Sequence, residues 1–262
     1  MLALVKKIEK EPIGVYVNNS AHGLVDHSKL WFGGVFRALY KPDLWPALAD
    51  AFSQLLQGNA TEAFMSYARA DTYELEEEGG LFVELNDGLS GPQHWPQDRK
   101  SLLDRLVPFA NSSLFASVAR SEYYSMQQWL IPRTHGYVPR NGVETAHPLL
   151  ILSTTYDPIC PLVSARSARA AFRGSQIVEV QGYGHCSVAV PSVCAAKHIR
   201  AFLYEGKVPQ DYTRCKVDAP YFAPPGDGGE KAMAYELFED DEEQQIHRAQ
   251  VALARDWEYF HG

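Results

Sequence analysis

Asp157 and His185 are the two residues whose types and spacing point to acid–base chemistry. Asp157 stands in Ser153-Thr154-Thr155-Tyr156-Asp157-Pro158, just after the apolar run Leu149-Leu150-Ile151-Leu152. His185 stands in Gly182-Tyr183-Gly184-His185-Cys186-Ser187, after the β-branched stretch from Gln176 to Val180. Each run reads as a buried parallel strand. Both residues therefore fall at strand carboxyl ends, where open α/β sheets place ligands and catalysis. A carboxylate beside an imidazole fixes its tautomer and stabilises the imidazolium formed when it takes a proton. The 28-residue separation leaves room for one crossover helix, and residues 162–172 (LVSARSARAAF) supply it, ended by Gly174. Gly182 and Gly184 let the chain turn and leave the ring accessible. Spacing alone fits equally a strand-end acid and a loop histidine of no special role.

The elements that must position this pair emerge from the rest of the 262 residues. Residues 2–10 read as a short helix and Ile13 to Val17 as an extended segment. Residues 28–57 carry helical periodicity, broken by Pro42 and Pro46 into at least two helices. Further helices are expected over 60–77, 98–108 and 112–129, with 86–100 as a loop dense in turn formers. Up to residue 145 the pattern is helices and loops, and that half reads as a helical lid. Strand–helix–strand–helix then follows, its last helix over 191–205, with Pro191 near its start and Gly206 past its end. Residues 219–230 read as a linker and 231–260 as an acidic helical tail whose charges face water.

Composition limits the partners. Apolar residues make up 46% of the chain, enough to build a core. The formal charge is −8, without a basic stripe, which argues against nucleic acid. No apolar run reaches the ~18 residues of a membrane span, and the start has no signal peptide pattern. That reading is of a soluble chain with the compartment left open. The cysteines, Cys160, Cys186, Cys194 and Cys215, form no CxxC pair, so no metal site is expected. In an oxidising compartment Cys194 and Cys215 can pair across a short loop; in a reducing one all four are small buried apolar groups. His22, His27, His94, His135, His147, His198, His247 and His261 lack ligand spacing and read as surface or capping residues. Tyr16, Trp31, Tyr40, Trp45 and Trp129 can line a cleft or pack helices, the second being the commoner role. No cofactor is expected, and Gly226 to Gly229 follow no strand, which argues against a phosphate cradle.

Several runs together resemble a known family. PLLILSTTYDPICPLVSARSARAAFRGSQ, GYGHCSVAVPSVCAAKHIRAFLYEGKVP and DYTRCKVDAPYF, over roughly 147–222, resemble the carboxy-terminal region of tripeptidyl-aminopeptidase-like serine hydrolases. Residues 24–56, notably Leu39-Tyr40-x-Pro42 and Trp45-Pro46, resemble that family's lid. The resemblance implies an α/β-hydrolase fold, with Asp157 as triad acid and His185 as triad base. It implies three segments: a lid region over 1–146, the carboxy-terminal hydrolase segment over 147–222, and a linker with acidic tail over 223–262.

The departures concern the nucleophile. The family places a serine on a Gly-x-Ser-x-Gly elbow, which this sequence lacks. Gly88-Leu89-Ser90-Gly91 is one residue short and follows no expected strand; Ser20, in Asn19-Ser20-Ala21, has no elbow glycines. Asn86-Asp87-Gly88 looks like a remnant of the family's Cys-Ser-Asp-Gly, and the oxyanion-hole loop has no counterpart. The expectation is therefore a carboxy-terminal portion of the fold: helical lid plus the last two parallel strands and their helices, with an incomplete sheet and an exposed edge. Such a chain keeps acid and base for hydrolysis of peptides, or of small esters and amides, but is inactive until a complementing chain supplies the serine. The alternative is a non-catalytic pseudo-hydrolase remnant that binds a peptide or protein.

Overall fold

The computed structural model describes residues 1–68, 77–116, 123–133, 136, 140–222 and 238–257. The chain forms two compact units, one of residues 1–71 with 140–262 and the other of residues 72–139. Among the described residues no helix is long and apolar enough to cross a membrane.

The centre of the first unit is a parallel sheet in the order β3-β4-β5, with β3 Leu150–Tyr156, β4 Gln176–Tyr183 and β5 Thr213–Lys216. The pairing sets Leu150 opposite Gln176 and Thr154 opposite Val180, then shifts, so that Tyr156 meets Tyr183. Both strands thus end side by side and deliver Asp157 and His185 to one end of the sheet. β5 is a third parallel strand where the sequence reading had two. Its four residues carry too little periodicity to stand out, and tertiary pairing with Val178 to Gln181 makes them a strand. The crossover helix Leu162–Ala171 (α8) joins β3 to β4 as expected. Val193–Glu205 (α9) follows, capped by the Ser192 side chain on Ala195 N–H and closed by Gly206 in the left-handed region. Val178, Val180, Val190, Ala195 and Cys215 pack as the core between sheet and α9. Cys194 of α9 and Cys215 of β5 form a disulfide, so the oxidised alternative is the one present.

One buried acid in this sheet escaped the sequence reading. Glu179 of β4 has a side chain only 4% exposed. It accepts from Thr155 Oγ1 at 2.5 Å, from the Tyr212 hydroxyl and from Arg214 Nε at 3.3 Å. Burial pushes its carboxyl up, but those three donors outweigh the burial and hold it below the usual range. A carboxylate depressed in the fold stabilises it above its unfolded value, and that stability is lost as pH falls through the folded one. Glu179→Gln is expected to cost about 1–3 kcal/mol at pH 7. It should also flatten the acid limb of stability, read from urea midpoints between neutral and acidic pH.

The amino-terminal part of this unit is less purely helical than its pattern suggests. After α1 (Leu2–Lys10), β1 (Ile13–Asn18) and β2 (Ala21–Val25) form an antiparallel hairpin. β1 covers the expected extended segment Ile13 to Val17, whereas the five residues of β2 were not expected as a strand, because a strand that short shows itself only by its pairing. A continuous helical run follows, Lys29–Phe36 in π form and Arg37–Tyr40 (α2) in α form. Pro42–Leu44 makes a 3₁₀ turn, and Pro46 sits in the first turn of Trp45–Leu56 (α3), where a missing N–H is harmless. Thr61–Tyr67 (α4) covers part of the expected 60–77 helix, and residues 69–76 lie outside the described ones.

The acidic charges of the tail helix lie at the surface as expected, while its opposite face packs into the unit. Asp241–Asp256, here α10, begins at the Asp240 cap and carries Asp241, Glu242 and Glu243 against its positive end. Glu242 and Glu243 then pair with Arg200 and Lys197 of α9. Ile246 packs with Val193, Ala196 and Phe238, and His247 is 1% exposed. The acidic face thus meets basic residues of its own chain, and His247 is a core residue where a surface one was expected. Residues 231–237 and 258–260 of the expected tail are outside the described ones.

The second unit contains α5 (Glu77–Asp87), α6 (Arg99–Ala110) and α7 (Tyr123–Gln128). Residues 112–116 are turns where helix was expected, and 117–122 are outside the described ones. The loop after α5 is pinned by Trp95, which is buried, donates to Leu89 O at 2.7 Å and lies under the Arg105 guanidinium at 4.4 Å.

Candidate active site

His185 is held against Tyr40 by both its main chain and its ring. Its main-chain N–H donates to Tyr40 O at 2.9 Å, and the Tyr40 ring meets the imidazole edge-on at 5.1 Å. Gly184, at φ +112°, lets the chain enter this position. A Cβ there would come within 2.8 Å of Pro42 Cδ and 2.9 Å of Ala189 Cβ. Gly184→Ala is therefore expected to cost about 2–4 kcal/mol, from left-handed strain plus overpacking. Urea unfolding measures the loss, and His185 ring resonances should move with it. Gly182 serves packing instead of turning, because a Cβ there would meet Val217 Cγ2 at 2.5 Å.

The acid is fixed as firmly. Asp157 Oδ1 accepts from the Ile159 and Cys160 N–H groups at 2.9 and 2.8 Å, and Oδ2 from Cys186 N–H at 2.9 Å. His185 Nδ1 lies 3.0 and 3.1 Å from the two oxygens, with side chains 6% and 2% exposed. A carboxylate is acceptor-only, so Nδ1 donates and Nε2 carries the lone pair. The pair expected from sequence is thus brought together, with the basic nitrogen turned away from the acid.

Nε2 meets a group that sequence reasoning did not single out. Cys186 Sγ lies 3.3 Å from it, on a residue with φ +64°, uncommon for a side chain-bearing residue. Burial, with Asp157 and Cys160 nearby, pushes this thiol up to about 11. It is protonated at neutral pH, and its S–H donates to Nε2 as a weak bond. The adjacency of His185 and Cys186 was visible in sequence, but only the left-handed backbone folds the thiol back onto the ring. Cys160 is exposed, contrary to the expectation of a buried apolar group.

The other candidates scatter. Ser20 is at the exposed hairpin turn, where its hydroxyl donates to Asn18 Oδ1 at 2.8 Å. Ser90 belongs to the second unit and is buried, its hydroxyl without a partner among the described residues. Trp31 and Tyr40 are packed inside, whereas Tyr16 is 70% exposed. Trp45 stacks on Tyr221 at 5.0 Å. Among the described residues two side-chain clusters have ligand atoms close enough for a metal: Asp157, His185 and Cys186, and Cys194, His198 and Cys215. In the first the carboxylate is taken up by N–H donors; in the second both thiols are in the disulfide and cannot ligate.

Residues 112–215 match the family model described as TAP-like protein, of the α/β-hydrolases. That stretch is similar to a TAP-like hydrolase segment. The match starts before the expected boundary at 147 and ends at Cys215, the strand residue of the disulfide. Serine protease Hip1 of Mycobacterium tuberculosis is 26% identical to the chain over 195 residues. That alignment covers 70% of this chain and 36% of the relative; Hip1 of Mycobacterium bovis matches equally. The chain therefore spans about a third of the length of these curated relatives. Parallel sheet, crossover helix and covering helix of the TAP-like segment agree with the carboxy-terminal portion of an α/β-hydrolase.

Proposed function

We propose that this chain contributes the acid and base of a serine hydrolase acting on peptide bonds, or on small esters and amides, with the nucleophile brought by a complementing segment. The buried contact between His185 Nδ1 and the Asp157 carboxylate, at 3.0 and 3.1 Å, carries the reading. In this mechanism the serine hydroxyl gives its proton to His185 Nε2 as its oxygen attacks the scissile carbonyl. Asp157 stabilises the imidazolium. His185 then protonates the leaving amine, and water enters by the same route in reverse to release the acyl group. A serine at Nε2 displaces the Cys186 thiol, whose S–H bond is weak. The name serine protease, borne by the Hip1 relatives, supports peptide bonds as the substrate class.

A second reading, a pseudo-hydrolase that binds a peptide or protein, is favoured by one observation: Nε2 is occupied by Cys186 in a sequence with no Gly-x-Ser-x-Gly. A fluorophosphonate probe separates the two. The purified chain alone should stay unlabelled. Mixed with a nucleophile-bearing amino-terminal half of a TAP-like relative, it should promote labelling of that half's serine, and His185→Ala should abolish the effect. Labelling of the chain alone at Ser20 or Ser90 would overturn the complementing nucleophile. Absence of labelling in a folded mixture would favour the binding reading.

A further inference from the structure

Tyr40 and Lys41 stand where α2 gives way to the Pro42 turn, and they hold two distant segments at once. Tyr40 accepts the His185 N–H at its carbonyl and sets its ring against the imidazole. Lys41, extended at φ −126° and ψ 100° as the residue before a proline favours, engages the end of α10. Its ammonium, on a side chain 12% exposed, donates to Arg255 O at 2.8 Å and to Trp257 O, with the Asp43 carboxylate at 3.8 Å. The last carbonyls of a helix have no partner within it and carry the negative end of its dipole. A largely buried ammonium is costly unless its donors are used, so these contacts form a specific lock.

The lock decides where Trp257 lies. Trp257 follows the last turn of α10, its N–H donating to Leu253 O at 2.9 Å, and its indole stands 6.3 Å from the His185 imidazole at a tilt of 48°. The His185 side chain is 6% exposed, whereas Trp257 is half-buried, so the indole reaches solvent where the imidazole does not. The other end of α10 is held separately, by Ile246 against Val193 and Ala196 and by the surface pairs to Lys197 and Arg200. α10 lies beyond the 112–215 match, so this cover comes from outside the TAP-like stretch. From the lock, the placed indole and the burial of the ring, we infer that α10 is a strap whose end, fastened by Lys41, closes Trp257 over His185 and controls access to the Asp157–His185 pair. Release of the strap then admits a reacting group to Nε2. That use rests on the hydrolase reading above; the closure itself does not, and its test needs no turnover.

The test treats the full chain with diethyl pyrocarbonate, which acylates an imidazole through its lone pair, and follows each histidine by peptide mass spectrometry. Exposed His22 is the internal reference, and His185 is expected to react more slowly than it in the wild-type chain. Lys41→Met keeps the aliphatic stem and removes the donors, and Trp257→Ala removes the indole. Each should speed acylation of His185 about tenfold, the worth of one charge-assisted hydrogen bond in a local opening equilibrium, with His22 unchanged. Glu243→Gln weakens only the far end of α10 and should leave His185 as slow as in the wild type, which separates release of the strap's end from general loosening. Circular dichroism reports that each variant is folded. Wild-type His185 reacting as fast as His22, or a rate unchanged by Trp257→Ala, would overturn the closure. A rate raised by Trp257→Ala but not by a folded Lys41→Met would overturn the lock. If Lys41→Met does not fold, Trp257→Ala still decides whether the strap covers His185.

Discussion

Asp157→Asn is expected to lower hydrolysis by the complemented enzyme about 10⁴-fold while leaving the chain folded. The native carboxylate accepts from the Ile159, Cys160 and Cys186 N–H groups and from His185 Nδ1. An asparagine must turn its NH₂ toward one of these donors whichever way it flips. If the NH₂ takes the Oδ2 place, it confronts Cys186 N–H; in the Oδ1 place it confronts Ile159 and Cys160. The imidazole escapes by moving its proton to Nε2, which then donates and can no longer take a proton from a nucleophile. Turnover of a peptide ester by the complemented enzyme measures the loss. On the chain alone, the low-field proton of His185 Nδ1 should vanish from the NMR spectrum. Retention of that resonance with unchanged turnover would mean that Asp157 does not orient the ring.

The Cys194→Ala/Cys215→Ala double variant should lose about 3 kcal/mol of stability, the value for closing a loop of this size. The two cysteines are 21 residues apart, with Cα atoms at 5.5 Å. β5 is only four residues long and pairs with β4 on one side, so the disulfide to α9 is a large share of what fixes it. Cys215 is also 1% exposed among Val178, Val180 and Val190, and each alanine leaves a small void there. Guanidinium unfolding, with and without a reducing agent, measures the effect. An unchanged midpoint on reduction would show that β5 is held by packing alone.

The strand–helix–strand–helix order around Asp157 and His185 was legible from residue types. Its strands are short apolar runs bounded by Pro148, Gly174 and Gly182, and its helices have a 3.6-residue period. The pairing of Asp157 with His185 was legible only as a possibility of spacing; the parallel register of β3 on β4 turns it into a 3.0 Å contact. Local pattern is a property of a dozen neighbouring residues, and it reports which face of an element is apolar. It does not report what that face meets. The four residues of β5 become a strand because β4 offers them an edge, and Glu179 is a tolerable buried acid because Thr155, Tyr212 and Arg214 converge on it from other segments.

The same limit explains the histidines and the tail. His185 and His247 are both buried, and no spacing rule separates them from the exposed His22, His94 and His147. The acidic start of α10 is the solvated face its pattern suggests, but only the fold shows that Lys197 and Arg200, more than 40 residues earlier, pair with it at the surface. Cys186 lies beside His185 in the chain, but its backbone turn alone brings the thiol to Nε2. By itself the sequence determined the order of strands and helices in the carboxy-terminal half, the candidate acid and base, and the lack of a Gly-x-Ser-x-Gly elbow. Tertiary structure decided the third strand, the disulfide, the burial of His247 and the environment of Nε2, because each depends on contacts between segments whose local patterns carry no record of their partner.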